Sequence, residues 1–252
     1  MNRSIKHILL LLCAILIYMP LSAQEEIVVP TEEEILSKTL DTTSPYYYTN
    51  LMLKYRSGSE QLTAEEYYYI YYGYYYSEEY RPFMENSAFD ALMDVMSGLN
   101  LNEPTIGQLE LLVEYGTKAL EVDPFSPKVL NIMAYAYGAL EDKERELLYY
   151  NHLNGILGAI ERSGTGLKEG VPWHILMFSH AYDLLASKGY IYNEARIISR
   201  SVEFVPLRTK SHDGIKGFYF DYSRIYSRKP DDLAIKKDRT WQFNNLPPTE
   251  YK

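Results

Sequence analysis

Apolar positions recur at helical spacing along most of the chain beyond residue 30. Thr31-Glu32-Glu33-Glu34 carries threonine at a cap and glutamate three later, and predicts a short helix to about Leu40. Ser44-Pro45 predicts a second start, with proline at the first helical position. Tyr47, Tyr48, Leu51, Met52 and Tyr55 form its apolar stripe, and Ser57-Gly58 ends it. Thr63-Ala64-Glu65-Glu66 repeats the cap and opens the run Tyr67 to Tyr76, with eight tyrosines, Ile70 and Gly73. Every face of that run is aromatic, so periodicity alone does not separate helix from strand. Tyrosine favours strands, but the cap and its early carboxylates suit a helix N-terminus. The run therefore reads as a helix, and one apolar all round has to be packed on several sides.

Further helices are predicted at Phe89 to Met96, Ile106 to Val122, from the Asp123-Pro124-Phe125-Ser126-Pro127 turn to about Leu140, and from Glu144 to about Ile160. Pro172 reads as the start of another, ending at Ser187-Lys188-Gly189. The pattern then changes. Ile197, Ser199, Ser201 and Glu203 fit no helix face, and Ile215 to Tyr222 is aromatic after the turn signal His212-Asp213-Gly214, which predicts a two-stranded hairpin.

Ala119-Leu120-Glu121-Val122-Asp123-Pro124 has the form of the second helix and exit turn of a tetratricopeptide repeat. Met133, Ala134 and Tyr137 follow at the spacing such repeats use for large, small and aromatic positions, whereas Glu146 stands where a small residue belongs. A non-repeating bundle is the alternative. The expected fold is mainly α: antiparallel helix pairs with tetratricopeptide-like packing plus a small C-terminal β-hairpin. The expected organisation is a signal peptide over 1–23, a linker and short helix over 24–43, a helical repeat-like domain over 44–190, a hairpin segment over 191–227 and a charged, flexible tail over 228–252.

Five stretches together carry a resemblance. They are Ser44-Pro45-Tyr46-Tyr47-Tyr48; Leu62-Thr63 with Glu66-Tyr67 and Tyr71-Tyr72-Gly73; Ala119-Leu120 with Asp123-Pro124-Phe125; Ser163-Gly164-Thr165-Gly166; and Gly214-Ile215-Lys216-Gly217-Phe218-Tyr219-Phe220-Asp221. In that order they resemble a family of secreted proteins typical of Bacteroidetes, domain of unknown function 4919. The resemblance implies export and a helical-repeat core, and it implies no activity. An acidic residue is usual in that family where Thr165 and Ala181 stand here.

The N-terminus has the parts of a secretory signal. Arg3 and Lys6 are basic, Ile8 to Met19 is apolar but shorter than the roughly 20 residues a membrane span needs, and Leu21-Ser22-Ala23-Gln24 offers cleavage after Ala23. Cys13, the one cysteine, follows Leu10-Leu11-Leu12 rather than small residues, so a lipoprotein is not expected. It departs with the signal, which leaves no thiol or disulfide chemistry. Removal of Arg3 and Lys6 takes the formal charge from −9 to −11. Such an acidic chain is not expected to bind nucleic acid or to keep a stable membrane anchor after cleavage. The 46% hydrophobic content supports a folded core.

Candidate chemistry is sparse. His174 and His180 stand six apart on one predicted helix, too far apart in angle for a shared metal, and no metal or other cofactor is expected. His180 with Asp183 has better spacing and could form an oriented base; packing is the bland alternative. Ser163, Gly164 and Gly166 could cradle an anion, although the segment lacks the lysine of a phosphate loop and has the look of an interhelical turn. Of 26 tyrosines, 13 lie between Tyr46 and Tyr80, and Tyr71, Tyr72 and Tyr75 are candidates for stacking on a ligand if they are exposed. The expected function is an exported interaction module, periplasmic or secreted, that binds a protein, peptide or glycan in a helical groove. A hydrolase centred on His180 and Asp183, with His174 as a further candidate, is the alternative.

Overall fold

The structure is a computed structural model and describes residues 27–230 apart from Asn102 and His212. The expected signal segment 1–23 and most of the charged tail, residues 231–252, lie outside the described residues. The helices are α1 Glu32–Thr39, α2 Tyr48–Ser57, α3 Ala64–Tyr74, α4 Ser87–Ser97, α5 Ile106–Val122, α6 Pro127–Ala139, α7 Lys143–Arg162, α8 Phe178–Ser187 and α9 Ser223–Tyr226. The strands are β1 Trp173–His174, β2 Arg196–Ile197, β3 Val202–Pro206 and β4 Gly217–Asp221. No described helix is long and apolar enough to cross a membrane.

Local signals account for most of these helices. Thr31 accepts the Glu34 amide at the start of α1. At α3, Thr63 Oγ1 accepts the Glu66 amide at 3.2 Å and Glu66 Oε2 accepts the Thr63 amide at 2.7 Å, a complete capping box. Two predicted starts are displaced. Ser44-Pro45 forms a turn, in which Ser44 accepts the Tyr46 and Tyr47 amides, so α2 begins only at Tyr48. Pro172 leads into β1 rather than a helix, and α8 starts at Phe178. His174 and His180 therefore do not share a helix.

The hairpin is present but belongs to a larger sheet. Strands β3 and β4 pair antiparallel, Val202 opposite Asp221 and Pro206 opposite Gly217. β2 adds to one side antiparallel and β1 to the other in parallel, giving the order β1-β4-β3-β2. A parallel partner brings in sequence far away, here Trp173 opposite Phe220, so no local pattern announces it.

Two cores divide the apolar side chains. The smaller joins α4, α5 and α6 through Leu92, Leu112, Val129 and Met133. The larger surrounds α3, with α1, α2, α7, α8 and the sheet against it. All six tyrosines of α3 are buried, with Ile70 and Gly73. Their hydroxyls reach outward to other segments: Tyr68 donates to Val28 O, Tyr72 to His174 O at 2.9 Å, and Tyr74 to Val122 O, one of the carbonyls left open at the end of α5.

Helix α7 meets this core at Gly155. A Cβ there would stand 2.3 Å from the ring of Tyr67, whereas at Gly158, one turn on, it would meet nothing within 4 Å. Alanine is the better helix former by about 1 kcal/mol. Gly158→Ala should therefore stabilise the protein by up to about 1 kcal/mol, while Gly155→Ala should destabilise it by about 1–3 kcal/mol through overpacking. Urea unfolding of both variants checks this; equal effects would overturn the packing of Tyr67 on α7.

Candidate functional site

Helix α8 carries both residues of the expected His180/Asp183 pair, and the fold separates their roles. His180 is 1% exposed. Its Nδ1 lies 2.8 Å from Tyr71 Oη and its Nε2 lies 3.1 Å from Asp123 Oδ2. Tyr71 Oη also accepts the Leu176 amide at 3.1 Å. A carboxylate only accepts, so Nε2 carries a proton and donates to Asp123, and in the neutral ring Nδ1 then accepts from the Tyr71 hydroxyl. Burial pushes the Tyr71 hydroxyl well above its ordinary pKa. The carboxylate on His180 is therefore that of Asp123, in the turn between α5 and α6, and not that of Asp183. Both ring nitrogens are engaged, and the chain of bonds ties α3, the α5–α6 turn and α8 together.

Asp183 turns instead toward the first turn of α6. Its side chain is 5% exposed, and Oδ1 lies 3.8 Å from Lys128 Nζ, too far for a direct hydrogen bond. Oδ2 is buried without a hydrogen-bond partner. Burial raises the pKa of this carboxyl, against the pull of His180, the Lys128 ammonium and the Lys128 amide. Asp183 and Lys128 line two cavities at once. One, of about 750 Å³, is a groove between α6, α7 and α8 with Leu153 and Leu157 on its wall and Asn131 and Asn154 at its edge. The other, of about 570 Å³, runs toward Tyr182, Tyr192 and Arg208.

The remaining candidates are held by the fold. Tyr71 and Tyr72 are fully buried. Tyr75 is half-buried, with its hydroxyl 2.9 Å from Ser227 Oγ and the Arg228 guanidinium 5.1 Å from its ring. Ser163 Oγ donates to Ile160 O at 2.6 Å and accepts the His174 amide at 2.8 Å. Gly164 O accepts the Trp173 indole N–H, and a Cβ on Gly164 would stand 2.0 Å from Pro172 O. Gly166, at φ +64°, lies under the Trp173 ring. The glycine segment is a joint between α7 and the sheet, and its polar groups are used within it. His174, in β1, has Nδ1 3.3 Å from Arg224 Nη1 and 3.5 Å from Asp221 Oδ2; burial lowers its pKa to about 4.

His152, on α7, has no motif around it in the sequence, yet the fold gives it two partners. Its Nδ1 accepts from Tyr67 Oη at 2.8 Å and its Nε2 donates to Tyr55 O at 3.0 Å, with the ring stacked on Tyr55 at 3.9 Å. It borders a third cavity of about 570 Å³, where Arg56 and Glu79 pair with each other at the edge. Burial lowers the His152 pKa to about 4, with the Tyr55 carbonyl opposing. The folded state then takes up its proton later than the unfolded chain as pH falls. The stabilisation is complete above pH ~6.5 and is lost as pH falls toward 4, in total about 3 kcal/mol. The stability gap between wild type and His152→Gln should shrink by about that amount between pH 7 and pH 4, measured by urea unfolding at each pH. A gap independent of pH would overturn the neutral, buried state of His152.

No curated protein and no solved structure was found to match the chain. A family model does match, over residues 33–230, which runs from α1 to the last described residue and includes His180, Asp183 and both cavities beside them. The chain belongs to the family described as Domain of unknown function (DUF4919).

Proposed function

We propose that this chain is an exported binding module that holds a protein, peptide or glycan in the groove between α6, α7 and α8. The carrying observation is Asp183: a side chain 5% exposed, with one carboxylate oxygen lacking a partner, at the junction of two cavities. A buried carboxylate oxygen left without a hydrogen bond costs about 1–3 kcal/mol or more, and such an oxygen is open to a donor from a ligand. The groove mixes an apolar wall at Leu153 and Leu157 with polar groups that include Lys128, Asp183 and the Glu161–Lys188 ion pair, a lining suited to a polar ligand. The cavity beside His152 is less suited, since its histidine and its Arg56–Glu79 pair are already satisfied.

Tetratricopeptide-like pairing of antiparallel helices is part of the proposal. It is supported by the close approach of α5 and α6, where Met133 Sδ would stand 2.3 Å from a Cβ on Gly116 and Ala119 is fully buried. Export is supported by the basic, apolar and small-residue segments of residues 1–23. The hydrolase alternative has little support, because His180 has no free nitrogen and almost no exposure.

Protein recovered from the periplasm or medium of its native host should begin at Gln24 by mass spectrometry. An intact N-terminus in the membrane fraction would overturn export. Asn154 is exposed at the groove edge, so Asn154→Trp should plug the groove without disturbing the core. In a screen of peptides and soluble glycans by thermal shift, ligands that raise the wild-type melting temperature should lose that effect on Asn154→Trp, with the basal temperature unchanged. Turnover of a hydrolase substrate that disappears in His180→Gln, at unchanged melting temperature, would sink the binding reading.

A further inference from the structure

We infer that the ligand is a neutral sugar, with one ring seated where Asp183 and Lys128 join the groove to the second cavity. The inference rests on the groove reading above and narrows it to one chemistry. Lys128 Nζ and Asp183 Oδ1 stand 3.8 Å apart, an ion pair with a gap in it. A group that closes the gap has to accept from the ammonium and donate to the carboxylate. A hydroxyl does both from a single oxygen. An ammonium only donates and a carboxylate only accepts. A peptide unit holds its donor and acceptor on different atoms that point in opposite directions, so one unit does not serve both partners at one spot.

The walls point the same way. The second cavity is lined by Lys128 and Arg208 against Asp183 and Glu194, a balance that gives a net charge on the ligand no advantage. Tyr182 and Tyr192 stand beside it, their ring centroids 5.1 Å apart and their planes at 35°. Both rings are half-buried, fixed enough to hold position and open enough to be touched. Such a face packs against the C–H side of a pyranose while the ring hydroxyls turn to charged and amide groups. At about 570 Å³ the cavity has room for one or two sugar rings, and the adjoining groove of about 750 Å³ would carry a longer chain onward.

The test is titration calorimetry of the mature chain with glucose, galactose, mannose, N-acetylglucosamine and the disaccharides cellobiose, maltose, lactose and chitobiose. Trialanine and spermidine serve as comparators. Lys128 faces the buried Asp183 and Tyr192 packs on the larger core, so the melting temperatures of Tyr192→Ala and Lys128→Met are measured as well, and binding is compared at a temperature where all three proteins are folded. The expected result is binding of at least one saccharide, weakened about tenfold or more by each variant, as loss of one charged hydrogen bond or one stacking face implies. If no saccharide binds, the sugar inference falls. If trialanine or spermidine binds instead, and does so through Tyr192 and Lys128, the sugar inference falls and the groove reading stands. If a saccharide binds equally to wild type and both variants, both fall.

Discussion

Burying a tyrosine is costly unless its hydroxyl finds a partner, and α3 buries six of them side by side, each with one. That requirement organises the molecule. Each ring projects from α3 into a different neighbour and has to end on an acceptor there. Val28 O, His174 O and Val122 O serve this purpose, as do the imidazoles of His152 and His180. Several of these acceptors are groups that the fold leaves open for its own reasons: a helix-end carbonyl, a strand end, an extended N-terminal segment. The tyrosines thus satisfy backbone groups at the margins of the core, and the larger core has hydrogen bonds running across it as well as apolar packing through it.

Against that background two polar groups on α8 stand in contrast. His180 is embedded in the network, with Tyr71 on one side and Asp123 on the other, and its bonds hold three segments in register. Asp183, less than one helical turn away, faces outward from the network and remains incompletely paired. A histidine with every site engaged contributes to stability, and a carboxylate with a site to spare is available to something else. Placement on one helix face says nothing of this difference, because the partners arrive from α3 and from the α5–α6 turn.

What was legible in the sequence follows the reach of each signal. Capping at Thr31 and Thr63 acts over three residues, and those helices begin where expected. The Asp123-Pro124 turn is equally local, and α5 and α6 end and begin around it. Ser44-Pro45 misled because the serine had two amides to accept before any helix formed. Pro172 misled because β4, nearly fifty residues on, claims Trp173 and His174 as a parallel strand. The carboxylate of His180 was missed for the same reason, since Asp123 lies 57 residues upstream. The tyrosine run gave no clue to which rings would be exposed, for a helix aromatic on every side has no polar face to mark the surface. Lys128, Tyr182 and Tyr192 have no pattern of their own and are brought together only by the packing of α6, α8 and the segment before the sheet.

The long span of the α3 hydrogen bonds has a consequence for the newly made chain. Tyr71 and His180 are 109 residues apart, so α3 leaves the ribosome well before the helix that receives its hydroxyl exists. During that interval the segment is an aromatic, β-prone stretch of low charge, the composition that seeds cross-strand association between nascent chains. The Thr63–Glu66 box then acts before any tertiary contact is possible, because its bonds close within four residues. The cap biases the segment toward a helix during that wait, and Glu65 and Glu66 stand at its edge as charged guards against pairing.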